Sequence, residues 1–94
     1  SRDQFVRAWR VLEREVGPDG VSEPMLPLLR HLSSEMVGAE TFLRTAMCLQ
    51  VFAERGLLAI EREGDALALR LTAEGKKVEL DKSPYVSALQ GFLS

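Results

Sequence analysis

The chain has 94 residues, 46% of them apolar, a formal net charge of -2 and a pI near 5.4. That length makes one domain with a small core, and the acidic balance is the wrong sign for a dedicated nucleic-acid binder, whose affinity comes from Lys and Arg on phosphates. No run approaches the roughly 20 apolar residues of a membrane span, and the start is not a signal peptide. A chain that opens Ser1, Arg2, Asp3 without Met suggests a piece of a longer protein, and removal of Met or a tag scar would look the same.

Residues 2 to 16 have helical spacing. Phe5, Trp9, Leu12 and Val16 fall on one stripe, and Arg7, Arg10 and Arg14 take the other faces with Glu13 and Glu15 between them. Gly17, Pro18, Asp19 and Gly20 stop the helix and turn the chain. A short helix is expected over roughly 24 to 33. Its start is ambiguous, because Pro24 and Pro27 cannot both hold the first helical position. Ser33 to Gly38 reads as a second break.

The strongest helical pattern runs from 39 to 55. Phe42, Leu43, Ala46, Leu49, Gln50 and Ala53 form its expected core stripe, widened by Met47, Val51 and Phe52. Thr41, Arg44, Thr45, Cys48 and Arg55 are then the outward residues. Gly56 follows at a C-cap position. Cys48 is the only cysteine; with no intrachain disulfide, a reduced, cytoplasmic setting is expected, and an inert thiol.

The period then changes to 2. Leu58 and Ile60, and after Arg62, Glu63, Gly64 and Asp65 the set Leu67, Leu69 and Leu71, give a two-stranded ribbon with one apolar face. Helix, helix, helix and hairpin is winged-helix order, a mainly α fold with a β-hairpin, and residues 1 to 75 are assigned to it. Residues 76 to 94 complete the same domain as an extended segment, beginning at Lys76 and Lys77, and a C-terminal helix entered through Ser83 and Pro84. From Pro84 to the end no residue is charged. Tyr85, Leu89, Phe92 and Leu93 share one stripe with Val86 beside it, so this helix is expected to dock on something.

Local motifs for catalysis are absent. The sole histidine, His31, has no metal-ligand spacing to a cysteine or aspartate, no phosphate loop exists, and no metal or cofactor is expected in this chain. Candidate DNA contacts are Arg7, Arg10, Arg14, Arg44, Lys76 and Lys77. Against them, the hairpin tip carries one positive and two negative charges, and a groove-reading helix normally carries more cationic and amide side chains.

The stretch Val51, Phe52, Ala53, Glu54, Arg55, Gly56, Leu57, Leu58, the apolar hairpin, and then Gly75, Lys76, Lys77, Val78, Glu79, Leu80, Asp81, Lys82, Ser83, Pro84, Tyr85 resemble the C-terminal region of RecJ-like bacterial single-stranded-DNA-specific exonucleases. The likeness is best from Val51 onwards, and the two prolines depart from it. It implies a parent that degrades single strands from the 5′ end with manganese or magnesium held by Asp and His of a separate catalytic core. None of those motifs is in this chain. The implied role is therefore accessory: packing on the parent's catalytic core, or contacting single-stranded DNA or another repair protein, with self-association through the C-terminal helix also open. The other readings are a stand-alone winged-helix interaction domain and a transcriptional regulator.

Overall fold

The computed structural model describes residues 2–36 and 42–78. These form a mixed α/β domain of four helices and one three-stranded antiparallel sheet. Helix α1 is Arg2–Val16, β1 is Val21–Pro24, α2 is Met25–Met36 and α3 is Phe42–Glu54. Strands β2 (Leu58–Glu63) and β3 (Ala66–Leu71) make the hairpin, and α4 is Ala73–Lys77.

The α1 stripe is buried as its spacing requires, with Phe5, Trp9, Leu12 and Val16 all in the core. Phe52 of α3 enters between two of them. Its ring lies 5.6 Å from that of Phe5, edge-on at 79°, and 4.9 Å from that of Trp9. Aromatic pairs at these spacings gain attraction beyond their buried area. The Trp9 indole Nε1 is buried without a hydrogen-bond partner.

The expected two-stranded ribbon has a third strand. Val21 pairs with Leu69 and Glu23 with Leu67, which places β3 between β1 and β2. Leu58 faces Leu71 and Ile60 faces Leu69 across the hairpin. Leu58, Leu67, Leu69 and Leu71 are buried beneath the helices, as a period of 2 with one covered face demands. Val21 to Pro24 was invisible as a strand because four residues with one apolar member show no alternation.

The two prolines are resolved by the same strand. Pro24 closes β1, at the sheet edge where a missing N–H does no harm. Pro27 is the third residue of α2, in the first turn, whose N–H groups have no intrahelical acceptor. Met25 donates its N–H to the Asp65 carbonyl at 2.8 Å, tying the helix start to the hairpin turn. The expected break at Ser33 does not occur. Ser33 is buried, and α2 continues to Met36.

Helix α3 ends as Gly56 implies. Gly56 has φ 76°, its N–H reaches the Ala53 carbonyl, and the Leu57 N–H reaches the Phe52 carbonyl. This pair of bonds is a Schellman cap, and its C′ residue needs a left-handed backbone. The Leu57 carbonyl then accepts from the Thr72 N–H at 3.1 Å, and the Thr72 hydroxyl donates to the Gly56 carbonyl. Thr72 also caps α4, its oxygen accepting from the Gly75 N–H at 3.0 Å. The α4 turn replaces the extended start expected at Lys76 and Lys77.

Gly75 is buried against the Leu57 carbonyl and the Trp9 ring, with no room for a methyl group. Gly75→Ala is expected to lower the unfolding free energy by about 1–3 kcal/mol, the usual penalty of overpacking, read from urea unfolding with an unchanged slope.

Candidate functional site

The surface of α3 is set by which of its faces enters the core. Thr45, Cys48, Leu49, Val51 and Phe52 are buried, at helical spacings of three, one, two and one. Thr45 and Cys48 are fully enclosed. The Ser33 hydroxyl donates to the Thr45 hydroxyl at 2.9 Å inside the core, so two polar groups that would otherwise oppose burial satisfy each other. Burial pushes the Cys48 thiol up to about 11, with the Arg44 charge opposing the rise.

The expected orientation of this helix is therefore corrected. Thr45 and Cys48 face the core, not solvent. Phe42, Leu43, Ala46 and Gln50, expected inside, are exposed. Leu43 is 74% exposed, Met47 39% and Phe42 37%. Arg44 is exposed as expected, and so is Arg55; Thr41 lies outside the described residues. The physical reason is that α3 carries two stripes of similar hydrophobicity. The one holding Cys48, Leu49, Val51 and Phe52 faces the core, and Ser33 supplies a partner there for the Thr45 hydroxyl on the same face. A second exposed apolar residue group lies at the other end of the domain's α2, where Leu26 is 60% exposed and Pro24, Met25, Pro27, Arg62 and Asp65 line a shallow hollow with it.

The cationic candidates occupy separate elements. Arg7, Arg10 and Arg14 are exposed along α1. Arg10 acts on Glu13, whose carboxyl burial raises above the usual range while Arg10 holds it down. Arg14 is engaged on the protein itself, 3.2 Å from Glu35 and 3.4 Å from Glu15. Arg44 is on α3, and Lys76 and Lys77 are exposed in the last turn of α4. At the hairpin tip the Arg62 Nε donates to the Gly64 carbonyl, beside the exposed acids Glu63 and Asp65. The docking candidates Tyr85, Val86, Leu89, Phe92 and Leu93 lie outside the described residues.

One group that the sequence did not announce joins α1 to α2. His31 Nε2 lies 2.7 Å from Glu15 Oε1, and Glu35, one turn beyond His31, pairs with Arg14. The Glu15 carboxyl is held below its usual range, first by the hydrogen bond from His31, which outweighs the rise from burial, and further by the His31 charge and by the hydrogen bond and charge of Arg14. The spacing of His31 to Glu35 was readable; the approach of Glu15 across sixteen residues was not.

Comparison with protein-family models, with curated proteins and with solved structures returned no match. Among the described residues no helix is long and apolar enough to cross a membrane.

The orientation of α3 rests on the hydroxyl pair. Thr45→Val keeps the shape and strands the Ser33 hydroxyl, so it is expected to lower stability by about 1–3 kcal/mol, while Thr45→Val with Ser33→Ala recovers most of that loss. Thermal and urea unfolding of the three variants measure the difference.

Proposed function

We propose that this chain is a non-catalytic accessory domain of winged-helix type from a RecJ-like single-stranded-DNA-specific exonuclease, and that it docks on the catalytic body of its parent through the outer face of α3. The order of three helices and then a hairpin supports the fold type, and β1 beside β3 extends the small sheet. The RecJ-like residues Val51 to Leu58, the apolar hairpin and Gly75 to Tyr85 support the parent. In these residues the α3 cap, the hairpin and α4 are tied together by Leu57, Thr72 and Gly75.

The exposure of Leu43 and Met47 carries the docking reading. They stand one turn apart on the helix that would enter a DNA groove in a winged-helix reader, with Phe42 beside them. A groove-reading face carries donors for base edges and phosphates; this one carries apolar side chains around Arg44. Exposed apolar side chains grouped on one helix mark a protein contact rather than a nucleic-acid contact. The metal chemistry of such a nuclease resides in its catalytic core, and this domain's contribution is to hold position. A transcriptional regulator fits less well, since Glu63 and Asp65 at the hairpin tip repel phosphates.

The test uses the chain with a separately produced catalytic body of the parent. Leu43→Asp with Met47→Asp is expected to weaken their association at least tenfold, the scale of losing buried anchor residues, while the thermal midpoint stays within a few degrees because neither side chain is in the core. Affinity for a fluorescent single-stranded oligonucleotide is expected to be weak at low salt and unchanged in the double variant. Association unaffected by the two substitutions overturns the docking face. Tight, steeply salt-dependent oligonucleotide binding lost on Arg7, Arg10 or Arg14 replacement assigns the function to DNA contact instead.

A further inference from the structure

The Glu15, His31 and Glu35 side chains converge from two helices, and their ligating atoms lie within 4.8 Å of one another. All three are accessible, with Glu15 26%, His31 53% and Glu35 42% exposed. His31 and Glu35 are four residues apart on α2, so they project from one face a turn apart. Glu15 comes from the last turn of α1.

The electrostatics of the place point to a cation independently of those distances. A helix C-terminus carries about half a negative charge and favours cationic side chains in its last turn. Helix α1 brings that negative end with Glu15 in its last turn, and Glu35 of α2 adds a second carboxylate facing the same Arg14. Arg14 is the one cation paired with both carboxylates among the described residues, at 3.2 and 3.4 Å, and it is itself 61% exposed. Two carboxylates share one guanidinium here, beside the C-terminal end of α1.

We propose that Glu15, His31 and Glu35 form a binding site for a divalent transition-metal ion of the zinc class, which clamps the C-terminal ends of α1 and α2 together. One imidazole nitrogen and two carboxylate oxygens suit an ion of intermediate softness; magnesium prefers oxygen ligands and retained waters. Ligand atoms about 3.3 Å apart surround a tetrahedral zinc at its usual bond lengths of about 2.0–2.2 Å. Small rotations of three exposed side chains close that gap from the present separations. Water fills the remaining position, and Arg14 swings away from the carboxylates as the ion enters. The site is distinct from the α3 face and stands whether or not the docking proposal does.

Zinc chloride titrated into the chain, followed by calorimetry and by the ring signals of its only histidine, tests this. One saturable site with micromolar affinity is expected, with a shift of the His31 ring signals and a rise in thermal midpoint of at least about 5 °C at a hundredfold excess over the dissociation constant. His31→Ala, Glu15→Gln and Glu35→Gln each weaken uptake at least tenfold, and Arg14→Gln strengthens it several-fold; all four side chains are at the surface, and circular dichroism confirms that the variants fold. Magnesium leaves the ring signals unmoved. Absence of saturable uptake at millimolar zinc, uptake unchanged in His31→Ala, or equal uptake of magnesium each overturns the assignment.

Discussion

The Ser33 hydroxyl meets the Thr45 hydroxyl at 2.9 Å inside an otherwise apolar core, and the rotation of α3 has to accommodate that meeting. An unpaired hydroxyl in such surroundings would cost about 1–3 kcal/mol, so Thr45 is accommodated inside with Ser33 beside it to take its hydrogen bond. Fixing Thr45 inward fixes Cys48, Leu49 and Phe52 inward, since they follow at three, four and seven residues. It also turns Leu43 and Met47 outward. The apolar outer face of α3 is the consequence of turning Thr45, Cys48, Leu49 and Phe52 into the core together.

The remaining elements are placed from the buried side of the same helix. Phe52 meets Phe5 and Trp9, which seats α1. The Schellman turn at Gly56 delivers Leu57, whose carbonyl takes the Thr72 N–H and leaves room beside it only for a glycine. Thr72 in turn caps α4. Strand β3, held between β1 and β2, closes the floor under these helices. Helix α1, α4 and the sheet are thus all referenced to the C-terminal half of α3, and its N-terminal half is left to present Phe42, Leu43 and Met47.

Much of this was legible in the sequence. The α1 stripe of Phe5, Trp9, Leu12 and Val16, the cap at Gly56 and the alternation of Leu67, Leu69 and Leu71 all have one strong periodic reading, and the structure follows each. The failures have a common physical form. Strand β1 pairs with the edge that β3 offers, α2 passes Ser33, whose hydroxyl meets Thr45, and α3 turns Thr45 inward onto it. Each is a decision made by a contact distant in sequence, between residues whose local preference points elsewhere. For the candidate site, the exposed positions of Arg7, Arg10, Arg14 and Arg44 were readable from the faces they share, whereas the ties of Arg14 to Glu15 and Glu35, and of His31 to Glu15, required the packing of α1 on α2. The proposed docking role rests on the α3 surface, whose exposed apolar side chains favour a protein contact over strand contact.

The orientation of α3 is the central claim, and its lone cysteine reports it directly. At pH 8, below the raised pKa of Cys48, a thiol reagent such as 5,5′-dithiobis(2-nitrobenzoate) should label the native protein only as fast as the chain opens, while a cysteine placed at position 43 in a Cys48→Ala background should react at the rate of a free thiol. Fast labelling of native Cys48, with protection at position 43, would reverse the helix and remove both the apolar face and the docking role assigned to it.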